Sequence, residues 1–526
     1  MKTPPPWLEW MKKPSSYPHD AAAVTCIQTH ISWVFIAGDF VYKVKKPVDF
    51  GFLDFTTPEK RRHFCKEEVR LNRRLCPEIY IDVMPITEEA GMYRLNGPGT
   101  PVEWVVWMKR MPEDGMMGRM IEEDRLDAKD LSLVASRLVP FYEKEAATGE
   151  QIAEFGKLDV ISHNTEENFD QTESFIDKAI SRPTFDAIRS YTRGFIRDKE
   201  ALFHARVQGG WIKEGHGDLY SANICFDRPR ETVYIFDCIE FNERFRCGDV
   251  AADVAFLAMD LDFLGLPVIS NRFIDEFARR TGDDRLHELI PFYKCYRAYV
   301  RGKINCFTSM ADGLDPDERD RFQQAAREYF ALAYRYTGVI PVMPELYVFY
   351  GLPGTGKSTV SSAWAERRGL AYYNSDRVRK EIVAGIPAVE RRHEAFGAGI
   401  YSGEMSRRTY AALARFAGRH LMRGESVVLD ATYRDGRERA ALLELAACSG
   451  ARIRFILCEC PEDIVRQRLN RRAADRASVS DGRWEIYLMQ KKTFDPHEAL
   501  PSDQPLIIDT SRPLEAILAL LSSLQP

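Results

Sequence analysis

The pattern of apolar and polar positions changes character several times along the chain, and each change marks a different kind of element. Over the first 110 residues, short apolar runs alternate with turns. Ile31-Ser-Trp-Val-Phe-Ile36, the turn Ala37-Gly-Asp39 and Phe40-Val-Tyr-Lys-Val-Lys45 predict a β-hairpin. A charged helix is predicted from about Pro58 to Leu75, and strand character resumes from Val102 to Met108. From roughly Asp127 to His204 apolar residues recur at spacings of three and four, the helical period. A second hairpin-like pair, Ala222 to Phe226 and Thr232 to Phe236, precedes a return to helix from Val250 to about Tyr336. Thr337-Gly-Val-Ile-Pro-Val-Met-Pro344 breaks both periods with two prolines and a glycine and reads as a linker. Beyond it strand and helix alternate at βαβ spacing, which implies a parallel sheet with helices on both faces. The predicted organisation is an α+β unit over residues 1–336, a linker over 337–344 and an α/β unit over 345–526.

Composition narrows the classes without choosing among them. At 526 residues the chain is too long for one core, and its 45% hydrophobic and 29% charged residues fit an ordinary globular protein. The net charge of -5 argues against a broad nucleic-acid-coating surface. Eleven cysteines, an odd number without paired spacing, read as reduced thiols, and Cys458-Glu-Cys460 lies in an apolar strand as packing. Met1-Lys-Thr-Pro-Pro-Pro-Trp7 has no apolar leader core, and later apolar runs are broken by charge before they reach spanning length. A cytoplasmic protein with no membrane partner is the expectation.

The most specific chemistry is Gly351-Leu-Pro-Gly-Thr-Gly-Lys-Ser-Thr359, a G-x-x-x-x-G-K-[ST] loop between the strand Glu345–Tyr350 and a helix from Ser358 to Arg367. Gly351, Gly354 and Gly356 let the backbone around Thr355 turn its N–H groups toward phosphate oxygens. Lys357 adds a full positive charge, Ser358 a ligand for Mg²⁺, and Thr359 continues the helix N-terminus. The ligand implied is a nucleoside triphosphate, ATP with Mg²⁺. A second strand, Leu370 to Ser375, ends at Asp376, with Arg377, Arg379 and Lys380 following on a helix. At the carboxyl end of a strand, Asp376 either takes a proton from an attacking hydroxyl or caps that helix, and Arg379 can hold a nearby anionic group. Ser426-Val-Val-Leu-Asp430 has the form of a Walker B strand whose aspartate steadies Mg²⁺. The strand Ile453–Leu457 precedes a helix carrying Arg466, Arg468, Arg471 and Arg472, with Arg476 later. Arg468 and Arg472, at i and i+4, either close over a transferring phosphoryl group or form a solvated basic face. This pattern resembles the P-loop kinases of the polynucleotide kinase, zeta-toxin and chloramphenicol phosphotransferase group. The resemblance implies that the serine-aspartate pair binds the acceptor hydroxyl and that a helical lid supplies arginines.

Upstream, His216-Gly-Asp-Leu-Tyr-Ser-Ala-Asn223 is followed, fourteen residues beyond Asn223, by a strand ending in Asp237. A carboxylate that deprotonates a hydroxyl, an amide oxygen five residues later and a second carboxylate on a neighbouring strand form a kinase catalytic-loop layout. Asp218 is then the base, with Asn223 and Asp237 as metal ligands; both loop residues also suit a turn. With Gly248-Asp-Val-Ala-Ala-Asp253, these segments resemble the aminoglycoside phosphotransferase group of kinase-fold enzymes. The resemblance implies an N-terminal bilobal protein-kinase-like fold ahead of the P-loop NTPase parallel-sheet domain. It also implies that Lys43 holds the α and β phosphates and pairs with Glu68, with Lys45 and Glu67 as competing assignments. Trp107 to Arg110 falls at the interlobe hinge, and Asp253 braces the catalytic loop. Two features depart from the group: no glycine-rich lid lies beyond Ala37-Gly-Asp39, and Cys-Ile-Glu follows Asp237.

The combined expectation is an ATP-dependent phosphotransferase with two ATP sites, transferring the γ-phosphoryl group to a hydroxyl of a small-molecule acceptor. A nucleotide-operated regulatory protein competes with it. So does a nucleic-acid 5′-hydroxyl kinase, against which the acidic balance and the lack of an aromatic-basic stripe count.

Overall fold

In the computed structural model, which describes residues 5–311, 313–339, 342–387, 399–474 and 484–523 and the side chains of all of these except 472–474, the hairpin alternation resolves into two faces. β1 (Val24–Gln28), β2 (Ser32–Ala37) and β3 (Phe40–Lys45) run antiparallel, with Val34 opposite Lys43 and Ser32 opposite Lys45. Trp33, Phe35, Tyr42 and Val44 point to one side and bury against Trp7, Leu8 and Met11. The period of two sends Lys43 and Lys45 to the other side. β4 (Tyr80–Glu89), β5 (Met92–Leu95) and β6 (Thr100–Lys109) complete a six-stranded antiparallel sheet of order β1-β2-β3-β6-β4-β5. The helix Pro58–Asn72 crosses the sheet face that carries the lysines. It starts where Thr57 accepts from Lys60 N at 3.3 Å, and it buries Cys65, Glu68 and Val69.

A helical lobe follows. Its core centres on helices Val250–Phe263 and Leu286–Ser309, where Val254, Leu257, Leu261, Leu289 and Ile290 share one apolar cluster with Phe273. Two small antiparallel pairs are set into it. β7 (Ile212–Glu214) pairs with β10 (Cys247–Asp249), and β8 (Ile224–Asp227) with β9 (Thr232–Ile235), so the segments that frame His216–Asn223 and Asp237 are tied together. A curled antiparallel sheet above a helical lobe is the bilobal kinase-like fold.

The C-terminal unit is a parallel sheet of order β12-β13-β11-β14-β15. It consists of β11 (Glu345–Tyr350), β12 (Ala371–Asn374), β13 (Val427–Asp430), β14 (Arg452–Glu459) and β15 (Leu506–Asp509). Trp364 of helix Lys357–Arg368 packs on one face with Ile517 and Leu518, and Leu413, Ala417 and Leu442 pack on the other. This is the P-loop NTPase arrangement, and β11 lies at its centre. All eleven cysteines are free. Among the described residues no helix is long and apolar enough to cross a membrane.

Helix Gly403–Met422 of the C-terminal unit lies against the helical lobe. Gly418 and Gly265 meet backbone to backbone, so a Cβ on Gly418 stands 2.2 Å from the Gly265 carbonyl oxygen. Met422 enters the cluster of Tyr329 and Phe330. Arg415 Nε donates to Asp124 Oδ1 at 2.7 Å, and both side chains are only 5% exposed. Removing one member leaves a buried charge alone, so Arg415→Ala is expected to lower unfolding stability by about 3–5 kcal/mol. Denaturant titration measures this, and the Asp124→Ala/Arg415→Ala double variant should lose less than the two single losses added.

Candidate functional site

The upstream site begins with the face that β3 turns toward helix Pro58–Asn72. Glu68 receives both lysines: Lys43 Nζ is 2.8 Å from Oε1 and Lys45 Nζ 2.7 Å from Oε2. Glu67 turns outward to Arg70 at 2.8 Å. The two lysines differ in what else they touch. Lys45 is enclosed and pairs with Glu240, whereas Lys43 is 13% exposed and also meets Asp237 Oδ1 at 2.5 Å. Lys43 therefore stands where the sheet and the helical lobe face each other. Burial works against its charge, but Asp237 and Glu68 outweigh burial and hold the ammonium well above its usual range.

The loop from His216 to Asn223 is held from below. Asp253 accepts from His216 N at 2.7 Å, Gly217 N at 3.0 Å and the Tyr142 hydroxyl at 2.8 Å. His216 Nε2 lies 2.9 Å from the Phe236 carbonyl oxygen, tying the loop to the segment that carries Asp237. Asn223 Nδ2 donates to the Asp218 carbonyl at 3.0 Å and to Oδ2 at 3.2 Å. Asp237 adopts φ 62°, a left-handed conformation unfavourable for a residue with a Cβ by about 1–2 kcal/mol. Its neighbours fix it there: Tyr80 OH accepts from Asp237 N at 3.3 Å and Asn72 Oδ1 from Cys238 N at 2.9 Å. Strain held by surrounding bonds is a mark of functional sites. Burial is the main influence on Asp218 and raises its pKa to about 6, with Arg301 and Arg297 opposing and Asp237 reinforcing it. In the segment expected to be the hinge, Arg110 N donates to the Asp39 carbonyl at 2.8 Å, so the Ala37-Gly-Asp39 turn rests on it.

In the C-terminal unit the phosphate loop leaves the central strand. Gly351, Gly354 and Gly356 have φ of 135°, 81° and 87°, and a Cβ on Gly351 would meet the Cys458 carbonyl oxygen at 2.7 Å. Both backbone shape and space therefore demand glycine. Lys357 Nζ donates to the Leu352 carbonyl at 2.9 Å, across the mouth of the loop. Asp430 ends the adjacent strand, and Asn374 links it to the loop helix: Nδ2 is 2.7 Å from Asp430 Oδ2 and 3.4 Å from Ser358 Oγ. Tyr372 OH also donates to Asp430 Oδ2, at 2.8 Å. A hydroxyl and a carboxylate bridged by one amide are oxygen donors of the kind Mg²⁺ accepts, and that ion takes one or two protein ligands beside phosphate oxygens. Among the described residues no group of three or more His, Cys, Asp or Glu side chains converges as a metal cage.

Asp376 follows β12 by two residues. The cap of that turn is Asn374, whose Oδ1 accepts from Asp376 N at 3.0 Å and Arg377 N at 3.1 Å. Arg379 is buried, with Nη1 donating to the Ile400 carbonyl at 3.0 Å and to Ser406 Oγ at 3.2 Å, so it anchors the start of helix Gly403–Met422. Arg468 lies against the phosphate loop. Its Nη1 is 3.1 Å from Thr510 Oγ1, its Nη2 2.8 Å from the Thr510 carbonyl, and Nη1 is 3.0 Å from where a Cβ on Gly356 would stand. Arg472 belongs to the same helix, Glu462–Ala474, but its side chain lies outside the described residues, as does Arg476 entirely.

Several residues of these sites escaped sequence reasoning. Glu240 was visible only as a departure after Asp237, yet a lysine as enclosed as Lys45 requires such a counter-charge. Asn374 and Tyr372 gave no signal beyond ending a strand. Glu438, whose pKa burial and then Asp435 raise to about 7, stands near the Tyr410–Tyr433 ring pair, whose centroids are 5.1 Å apart.

These features define a kinase-fold unit joined to a P-loop ATP-binding unit, and a family model described as an AAA domain matches residues 346–497. Over 463 residues the chain is 30% identical to Uncharacterized protein Rv2004c of Mycobacterium tuberculosis, covering 86% of this chain and 87% of that protein. Uncharacterized protein Mb2027c of Mycobacterium bovis matches over the same share at the same 30% identity. The chain belongs to the family of these mycobacterial proteins. Among solved structures, it is similar to the ethanolamine kinase of Plasmodium vivax at 13% identity and a TM-score of 0.38, over 60% of this chain and 83% of that one. It is also similar to a gluconokinase from Sinorhizobium meliloti at 20% identity and a TM-score of 0.24, over 34% of this chain and 95% of that one.

Proposed function

We propose that the chain is an ATP-dependent phosphotransferase with two nucleotide sites, one in residues 1–336 and one in 345–526, each passing the γ-phosphoryl group to a hydroxyl of a small molecule. The observation that carries this reading is the convergence of Lys43 and Glu68 from the sheet lobe with Asp237, Asn223 and Asp218 from the helical lobe. A module that only binds nucleotide has no use for a half-buried carboxylate whose pKa lies near 6, the range suited to a base at neutral pH. In the upstream site Lys43 orients phosphate, Asn223 and Asp237 hold Mg²⁺, and Asp218 takes the hydroxyl proton. In the downstream site Lys357 and the loop N–H groups bind phosphate, Ser358 and Asp430 hold Mg²⁺, Arg468 neutralises developing charge, and Asp376 meets the acceptor. Bound Mg²⁺ neutralises phosphate charge during transfer. Beyond the proton taken by Asp218 and the charge met by Arg468, these side chains position the reactants.

The test follows labelled γ-phosphate from ATP in the full chain supplied with pooled cell metabolites. Label is expected in organic products, with one set lost in Asp218→Asn and another in Lys357→Ala. Label found only in inorganic phosphate would favour the regulatory reading instead.

A further inference from the structure

The upstream site carries a cation that the phosphate donor and the metal do not account for. Arg297 and Arg301 stand one turn apart on helix Leu286–Ser309. Arg297 is engaged: Nη2 lies 3.6 Å from Asp253 Oδ1 and Nε donates to the Ala252 carbonyl at 3.3 Å. Arg301 has no carboxylate within ion-pair distance among the described residues, and its Nε is buried without an acceptor. Its guanidinium is gripped by aromatic rings, 4.9 Å from the centroid of Tyr220 and 5.6 Å from that of Tyr329. Tyr220 is itself stacked on Phe256 at 5.7 Å and 14°, and it is two residues from Asp218. The clamp is therefore fixed beside the proposed base. Arg301 also lies within electrostatic reach of Asp218.

We infer that the acceptor of the upstream site bears an anionic group, a carboxylate or a phosphate, next to the hydroxyl that is phosphorylated, and that Arg301 binds this anion. A planar guanidinium held by ring faces keeps its fork of donors in one orientation, which suits bidentate recognition of such groups. Pre-organisation lowers the entropy lost on binding. The acceptor class is that of hydroxy acids and phosphorylated polyols, whereas a neutral polyol or an amine leaves Arg301 without its partner. This inference rests on the upstream half of the proposed function.

The experiment uses the full chain carrying Lys357→Ala, which silences the phosphate-loop site, with a non-hydrolysable ATP analogue present. Glycerate, glycerol 3-phosphate and glycerol are titrated by calorimetry. At least one anion is expected to bind and glycerol is not, and the two anions separate a carboxylate preference from a phosphate one. Arg301→Gln is expected to weaken anion binding about 10- to 100-fold. Arg301→Lys should recover part of that loss, while affinity for the analogue stays unchanged in both variants. If Arg301 only balances the nearby charges of Asp218 and of Asp260, which accepts from Ser221 N at 3.0 Å, the variants shift stability and leave anion affinity as it was, which overturns the inference. Binding of glycerol as tight as that of the anions, or binding of neither anion, overturns it as well. Analogue binding that Lys43→Ala does not weaken counts instead against the proposed nucleotide site, so the two failures are read separately.

Discussion

Asp218→Asn is expected to leave ATP binding at the upstream site nearly unchanged and to lower its turnover by about 10²- to 10⁴-fold, the range of a lost general base. The amide oxygen of the variant can still accept from Asn223, which now donates to Asp218 Oδ2 at 3.2 Å, so the loop keeps its shape. What disappears is the ability to take a proton. Burial, reinforced by Asp237 and opposed by Arg301 and Arg297, raises the Asp218 pKa to about 6. Upstream turnover in the parent chain should therefore rise with pH through about 6 and level off above it, and the variant should lack that limb. The same shift governs stability with a definite sign. Between the unfolded value of about 3.9 and the native value near 6, the folded chain holds a proton that the unfolded chain releases. The stability contributed by Asp218 is thus fully present below the unfolded value and is lost as pH rises through about 6. At neutral pH the parent carries a half-buried, partly desolvated carboxylate that the variant lacks, so thermal unfolding of Asp218→Asn should shift upward. Lost turnover with a raised Tm marks a base held against stability. Lost turnover with a lowered Tm marks a structural residue and removes Asp218 from the mechanism.

Local periodicity made some of this legible and long-range enclosure hid the rest. The Ile31–Lys45 hairpin and the strand-loop-helix around Gly351 could be read because their signals lie within a dozen residues. β4 was not predicted as an element: Asp82, Pro85 and Thr87 interrupt its alternation, and register shifts at Tyr80/Asp82 and Ile86/Thr87 break the period of two. Lys43 and Lys45 could not be ranked from sequence, since two residues on one strand share a face and the helical Glu68 reaches both. They are separated only by carboxylates that arrive from nearly 200 residues away, Asp237 on one and Glu240 on the other. Likewise the sequence offered Asp376 as a cap, but Asn374 takes that place because its side chain reaches both N–H groups and Asp430. Arg301 is one of 73 basic residues until Tyr220 and Tyr329 enclose it. Motif spacing thus marks the residues proposed to meet phosphate, metal and the acceptor hydroxyl, whereas the Arg301 clamp is assembled by helix packing and carries no local pattern.

Lys357→Ala should weaken ATP binding at the phosphate loop by about 100-fold or more, equivalent to roughly 3 kcal/mol, as expected when a charge-assisted contact to phosphate is lost. The measurement is made in the full chain carrying Lys43→Ala, so that the upstream site does not contribute. Lys357 Nζ now donates to the Leu352 carbonyl at 2.9 Å, a loop contact that phosphate oxygens can replace. The loop's shape is set chiefly by the positive φ of Gly351, Gly354 and Gly356 and by the bond from Thr510 Oγ1 to the Thr355 carbonyl. Thermal stability without nucleotide should therefore change little. Asp430→Asn supplies the contrast. Asp430 stands with Asn374 and Ser358 at the position proposed for Mg²⁺, so its loss should remove the gain in ATP affinity that Mg²⁺ gives while leaving metal-free binding in place. In Lys357→Ala, binding should be weak with or without the metal, because the lysine meets phosphate directly. If both variants instead behave alike, either in losing all binding or in losing only the metal-dependent part, then lysine and aspartate do not occupy separate phosphate and metal positions, and the assignment of the loop as a Mg²⁺–ATP site is wrong.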